Sequence, residues 1–451
     1  MLVEQVLLFI VGVVVAFIGL AVSIALHELG HLTTAKMFGV RVSQYMIGFG
    51  PTIWSKVKGE TEYGFKLLPL GGYVALSGMY PPKHAGEAPR DGGTGFLSNM
   101  IEDAREANQE TIMPGEEHRA FSLLPAWKRI IVMLAGPVMN LVIAVVCFLI
   151  VVSGFGIYQP TTTLYSVSKC MVSQAEAAQL GDAAAENCST PAPGAAAGLL
   201  PGDKLVSMNG TELHDWKDAT AIIRANADKP IETVIERAGQ QQTVTITPRA
   251  NTVFVTDDFS GERVKDEAGN YKTEVVGFVG VSPTSAREQM PPSYAFEFAG
   301  FNIGKVFEMI MSLPQRVVDM WHAGFGGAER DPNGPQSVVG VGRIVGEVSA
   351  LTEIPVLDRI ATVIQIVGSV NIALGIMNLI PLPPLDGGHI FASIVDMIRR
   401  GLAKAFGKED PGPFDTAKLL PITMVVAGLL LAMSALFIYV DIVNPISLTG
   451  K

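Results

Sequence analysis

The sequence predicts a polytopic α-helical membrane protein with a four-helix transmembrane core, and three observations predict it. Of its 451 residues, 49% are hydrophobic and only 17% charged, and the mean hydropathy of +0.35 is high for a chain of ordinary soluble domains. The excess is concentrated in a few long apolar runs, and the stretches between them have ordinary soluble composition. Four runs approach the roughly 20 residues a helix needs to cross a bilayer: about 6 to 26, 130 to 152, 364 to 380 and 419 to 439.

The first run differs from a secretory signal. It has no basic start, carries Glu4, and passes into His27-Glu28-Leu29-Gly30-His31 without a small-residue cleavage site, so 1–35 reads as a retained helix. Alternating residues in 36–80, such as Tyr63-Gly64-Phe65-Lys66-Leu67, read as short strands and hairpins. Residues 81–126, rich in Pro, Gly, Glu and Asn, read as a loop, and 127–155 as the second span. Residues 286–362 place Phe296, Phe298, Phe301, Ile303, Val306 and Phe307 at helical spacing, which predicts an amphipathic helix lying on the membrane surface for part of the stretch. The third span, 363–398, includes Asp386; a loop, 399–417, and the fourth span, 418–443, follow.

Orientation follows from the Lys/Arg bias beside the spans. Lys36, Arg41, Lys128, Arg129, Arg399, Arg400, Lys404 and Lys408 flank one face, against Glu4 and Asp441 on the other. Residues 36 to 128 and 399 to 418 are therefore expected inside the cytoplasm, with both termini and residues 155 to 360 outside. Cys170 and Cys188 in that outer stretch read either as a disulfide suited to an oxidising compartment or as two thiols; Cys147 reads as a packing or lipid-facing residue. The net charge of -10 comes with no dense basic block, which sets nucleic-acid binding aside.

On a helix, His27 and His31 at i and i+4 share one face and reach one metal ion, with Glu28 beside it but not a ligand. Ionisable residues against twenty apolar ones are costly and point to function. Zinc held by two His and one carboxylate, with a fourth position open to water, is a catalytic arrangement in which Glu28 acts as general base. The third ligand is expected at Asp386, because Pro381, Pro383 and Pro384 interrupt the helix before it and Gly387 and Gly388 follow it. A helix cap at the interface is the structural alternative for Asp386. His84, His118, His214 and His322 lack ligand spacing and read as surface or capping residues, whereas His389, three residues after Asp386, reads either as a structural residue or as one that touches the ligand set.

These residues resemble the site-2 protease family, and within it the bacterial RseP-like regulators of membrane-protein proteolysis. His27-Glu28-Leu29-Gly30-His31 and Asn378-Leu379-Ile380-Pro381-Leu382-Pro383-Pro384-Leu385-Asp386-Gly387-Gly388 match the family's two signatures. Ile47-Gly48-Phe49-Gly50-Pro51, Pro69-Leu70-Gly71-Gly72-Tyr73-Val74 and Ala135-Gly136-Pro137-Val138-Met139-Asn140 support them. The resemblance implies an intramembrane zinc metalloprotease with one Zn2+ per chain, held by His27, His31 and Asp386, with Glu28 as base. It further implies that Asn378, Pro381, Pro383 and Asn140 hold an extended substrate, and that 36–80 forms a membrane-associated sheet whose edge receives it. The substrates implied are single-pass membrane proteins, among them anti-sigma factors, cell-division proteins and remnant signal peptides.

Residues 160–285 look like an extracytoplasmic PDZ (α+β) domain of the circularly permuted bacterial type. Ala197 to Gly210 reads as a turn, a strand and a second turn, and Thr233 to Arg237 and Gln242 to Ile246 as strands around Ala238-Gly239. No second copy of that turn is present, which resembles the single-PDZ, actinobacterial-type members. A competing reading is a noncatalytic membrane PDZ receptor with a structural metal site; Glu28 argues against it, because a structural site needs no base.

Overall fold

The computed structural model describes residues 2–80, 111–171, 190–256, 263–264, 266, 270–328, 330–331 and 334–446. The chain starts with one unbroken helix, α1 (Leu2–Met37), with Glu4 in its first turn and Lys36 in its last, each favourable to the helix dipole. Strands β1 (Val42–Lys58) and β2 (Thr61–Leu76) follow, then α2 (Ala126–Leu149), prolonged to Phe155 by a wider turn. Next come β3 (Ile157–Val167), β4 (Lys204–Met208), β5 (Thr211–Glu212), α3 (Trp216–Ala225), β6 (Ile231–Arg237), β7 (Gln240–Ile246), β8 (Arg249–Phe254), β9 (Thr273–Phe278) and β10 (Val281–Glu288). The remaining helices are α4 (Pro292–Met311), α5 (Leu313–Phe325), α6 (Val338–Ala350), α7 (Val356–Asn378), α8 (Asp386–Ala405) and α9 (Leu420–Val443). The chain divides into two compact units, 1–155 with 291–451, and 156–290.

In the first unit, α1, α2, α7 and α9 are long and apolar enough to cross a membrane, matching the four expected spans. The third expected span is shorter than 363–398. Helix α7 stops at Asn378 and α8 restarts at Asp386, because the prolines between them supply no N–H and clash with a continuing helix. Residues 286–362 are mostly helical, in α4, α5, α6 and the start of α7; the first three each have a face against one of the long apolar helices. Ala295 and Ala299 of α4 pack against Ala144, Phe148 and Ile372. Met320 and Ala323 of α5 meet Phe437 and Val440 of α9, and α6 lies along α1, where Gly346 sits against Phe9 and Val13.

The β1–β2 hairpin, expected within 36–80, is present and bends on itself. Gly48 (φ +94°), Gly50 (φ +87°) and Gly71 (φ +126°) adopt backbone conformations that L side chains rarely reach. Residues Gln44 to Ile47 consequently have partners on both sides, in 72–75 and in 62–65. The base of the hairpin is buried: Val42 and Leu76 join Leu32, Ala35, Val132 and Met133 in one core. Its far half exposes Phe49, Ile53, Trp54, Val57, Phe65, Leu67 and Leu68.

The second unit carries an antiparallel sheet in the order β10-β3-β4-β6-β7, with β5 on β4, and a separate β8–β9 pair. The turns read from sequence are there: Gly198 and Gly202 have positive φ, and Asn209-Gly210 and Ala238-Gly239 have positive φ at both residues. Leu164, Leu205, Met208, Ile231, Ile235 and Ile246 form the core with Ala219 and Ile223 of α3. Cys170 is disulfide-bonded, in line with the first of the two readings, and Cys147 is free. Cys188, His84 and residues 81–110 lie outside the described residues.

Asp203, buried at the start of β4, accepts the Leu200 N–H at 2.8 Å and pairs with Arg237 at 2.7 Å. The Arg237 hydrogen bond holds its carboxyl below the ordinary carboxylate range. A depressed folded-state pKa stabilises above the unfolded value, and that stability is lost as pH falls through the folded value. Asp203→Asn is therefore expected to cost about 1–3 kcal/mol near neutral pH and to lose that penalty in acid below about pH 4. Hydrogen exchange of the 204–208 amides in the intact protein checks this; equal protection at neutral pH contradicts it.

Candidate metal centre

His27 and His31 project from the last third of α1, and Asp386 is the first residue of α8. The three meet although His31 and Asp386 are 355 positions apart in the sequence. The Nε2 atoms of the two histidines lie 3.2 Å apart, and Asp386 Oδ2 lies 3.3 Å from the first and 3.4 Å from the second. Tetrahedral zinc with bonds of about 2.0–2.1 Å sets its donor atoms about 3.3 Å apart, so these atoms mark one face of such a tetrahedron.

The protonation pattern points the same way. His31 Nδ1 lies 2.8 Å from the Val132 carbonyl, a bond that requires Nδ1–H and leaves Nε2 with its lone pair facing inward. Asp386 Oδ2 is buried and accepts no hydrogen bond. The inward-facing lone pair of His31 and the carboxylate oxygen repel one another at these separations unless a proton or a metal ion lies between them. The donor set fits zinc.

Close backbone approach makes the arrangement possible. A Cβ on Gly136 of α2 would fall 2.7 Å from His27 Nε2 and closer still to His31 Nε2, so only glycine lets α2 lie against both rings. Gly30 has the same relation to the Ala135 carbonyl, which puts α1 and α2 in backbone contact beside the site. Gly387 and Gly388 leave room for the 379–383 turn to fold back on the start of α8; a Cβ on Gly388 would meet Pro383 N at 2.5 Å. Ser23, one turn before His27, accepts from Asn371 Nδ2 at 2.8 Å and ties α1 to α7.

Glu28 is half-buried beneath β2: a Cβ on Gly72 would meet Glu28 Cγ at 3.2 Å. Tyr45 OH donates to the Ala25 carbonyl at 2.7 Å and docks the hairpin on this part of α1. Asn140 is buried on α2 one turn past Gly136, its Oδ1 unpartnered. Gly375 of α7 passes it closely, since a Cβ there would lie 3.4 Å from Asn140 Cβ. Asn378 closes α7, Pro381 is exposed in the following turn and Pro383 half-buried. The ligand group holds His27, His31 and Asp386; His389, half-buried one turn along α8, is not in it. His118, His214 and His322 are exposed, as expected of surface residues.

Sequence reasoning missed the part played by α2. Arg129 reads from sequence as a charge flanking a span, and the structure buries it against Asp396 of α8. The signal was an aspartate on the small-residue face of an amphipathic helix, which no charge count at span ends detects. Asp441, which also reads as a flanking charge, is buried against Arg330.

A family-wide profile described as peptidase family M50 matches residues 15–409. The chain is 31% identical to zinc metalloprotease Rip1 of Mycobacterium tuberculosis over 450 residues, covering 98% of this chain and 100% of that one. It is 26% identical to metalloprotease MmpA of Caulobacter vibrioides over 85% of each chain. To zinc metalloprotease RasP of Geobacillus kaustophilus it is 27% identical, over 83% of this chain and 86% of the relative.

Gly136→Ala is expected to push the imidazoles apart and weaken zinc binding about tenfold or more, measured by competition with a chelator. Unchanged affinity would mean that α2 does not shape the site.

Proposed function

Because the chain belongs to peptidase family M50, we propose that it is an intramembrane zinc endopeptidase that cuts single-pass membrane proteins within or near their spanning helix and releases a cytoplasmic fragment. The observation that carries this reading is the His27, His31 and Asp386 group, with Glu28 beside it, on a helix apolar enough to cross a membrane.

His27, His31 and Asp386 hold one zinc ion per chain. Bound there, zinc polarises a peptide carbonyl and makes a water molecule acidic enough to be deprotonated near neutral pH. Glu28 takes that proton and returns it to the leaving nitrogen. The His31 Nδ1 bond to Val132 keeps the ring in the tautomer that ligates.

A helical substrate shields its carbonyls and has to unwind before one is attacked. The 72–76 arm of β2 lies at an edge of its sheet, passes Glu28 at Gly72, and pairs with no further strand among the described residues. It receives the unwound segment by strand addition, while Asn140, Asn378, Pro381 and Pro383 line the approach. The exposed apolar far half of the hairpin suits a lipid setting. By the Lys/Arg bias the active site faces the cytoplasm, and the termini and residues 156–290 lie outside. The sheet and helix of 156–290 support an extracytoplasmic PDZ-type domain that screens substrates already shortened on that side; anti-sigma factors and remnant signal peptides are suitable classes.

Cleavage of a model single-span substrate in cells tests the proposal, with protein levels matched. Glu28→Gln is expected to reduce the rate by about 10²–10⁴ while retaining zinc. Undiminished cleavage in that variant would end the catalytic reading.

A further inference from the structure

The Asp386 carboxylate rides on the first residue of α8, after a turn of three prolines that breaks continuity with α7. The turn sets where α8 starts, and the direction in which α8 then runs depends on what else holds it. About 15 Å along the helix, Asp396 is fully buried, at 0% exposure, and forms an ion pair with Arg129, itself 4% exposed, in the first turn of α2. Asp396 Oδ1 also accepts the Phe414 N–H at 3.0 Å and lies 3.4 Å from Arg400 Nε.

Arg129, Val132 and Gly136 stand at i, i+3 and i+7, on one face of α2. Val132 fixes the His31 ring, Gly136 admits both imidazoles, and Arg129 grips α8. One helix face thus touches the two histidines and the helix that carries Asp386. Replacing a buried ion pair with apolar residues is often neutral for stability, whereas removing one partner is costly. Stability alone therefore gives weak reason for an arginine and an aspartate at this place.

We infer that Arg129 and Asp396 are positioning residues that set the distance between the His27–His31 pair and Asp386, and so tune zinc affinity from outside the ligand sphere. The inference rests on Asp386 as a ligand.

The test measures zinc affinity of the full chain in lipid nanodiscs by chelator competition, together with the absorption spectrum of the Co2+-substituted protein. The variants are Arg129→Met with Asp396→Leu, Arg129→Lys, and the inverted pair Arg129→Asp with Asp396→Arg. The apolar pair is expected to bind zinc at least about tenfold more weakly, with an altered Co2+ spectrum and unchanged helix content. Arg129→Lys, which keeps the charge but loses the planar fork, is expected to show a smaller loss, and the inverted pair to recover part of it. Wild-type affinity and spectrum in the apolar pair overturn the inference. If that pair fails to accumulate, wild-type affinity in Arg129→Lys overturns it. Asp386→Asn separates the two claims: no loss of zinc there sinks the ligand assignment itself, whereas loss there with none in the apolar pair sinks only the positioning role.

Discussion

Two imidazole nitrogens and a carboxylate oxygen, all within 3.4 Å of one another, need a proton or a metal ion between them. The rest of the first unit is arranged around that constraint. Because the ligands lie on α1 and α8, near opposite ends of the chain, the scaffold has to carry the cost of bringing them together before any ion binds. Helix α2 does so by backbone approach at Gly136, a carbonyl at Val132 and an ion pair at Arg129. A site held at three points along one rigid helix is better defined than one held by loops.

The same geometry explains why a broken helix is useful here. A spanning helix continued through residues 379–385 would carry Asp386 past the histidines. Prolines at 381, 383 and 384 stop α7, the small residues 387 and 388 let the turn fold flat against α8, and the carboxylate arrives from the side. Backbone freed at membrane depth is tolerated where protein or a water-filled cavity covers it, and a hydrolytic site needs water there in any case. The hairpin completes the enclosure by laying Gly72 over Glu28.

Much of this was legible in the sequence because its signals are local. The i, i+4 spacing of His27 and His31, the four apolar runs, and the Asn209-Gly210 and Ala238-Gly239 turns each depend on neighbouring residues. So did Asp386, through its prolines and glycines. What escaped is the product of contacts between distant segments: α6 lying along α1, the faces by which α4 and α5 pack on other helices, and Arg129 buried against Asp396 rather than exposed at a span end. A residue's charge shows that it needs a partner but not where the partner is, so a flanking arginine and a buried one look the same until the helices are packed.

The most direct measurement is zinc K-edge X-ray absorption on the purified full chain in lipid. The account predicts one zinc per chain, with a first shell of nitrogen and oxygen at about 2.0 Å and the outer scattering of two imidazole rings. Sulfur in that shell, scattering from fewer than two rings, or no zinc above background would contradict it.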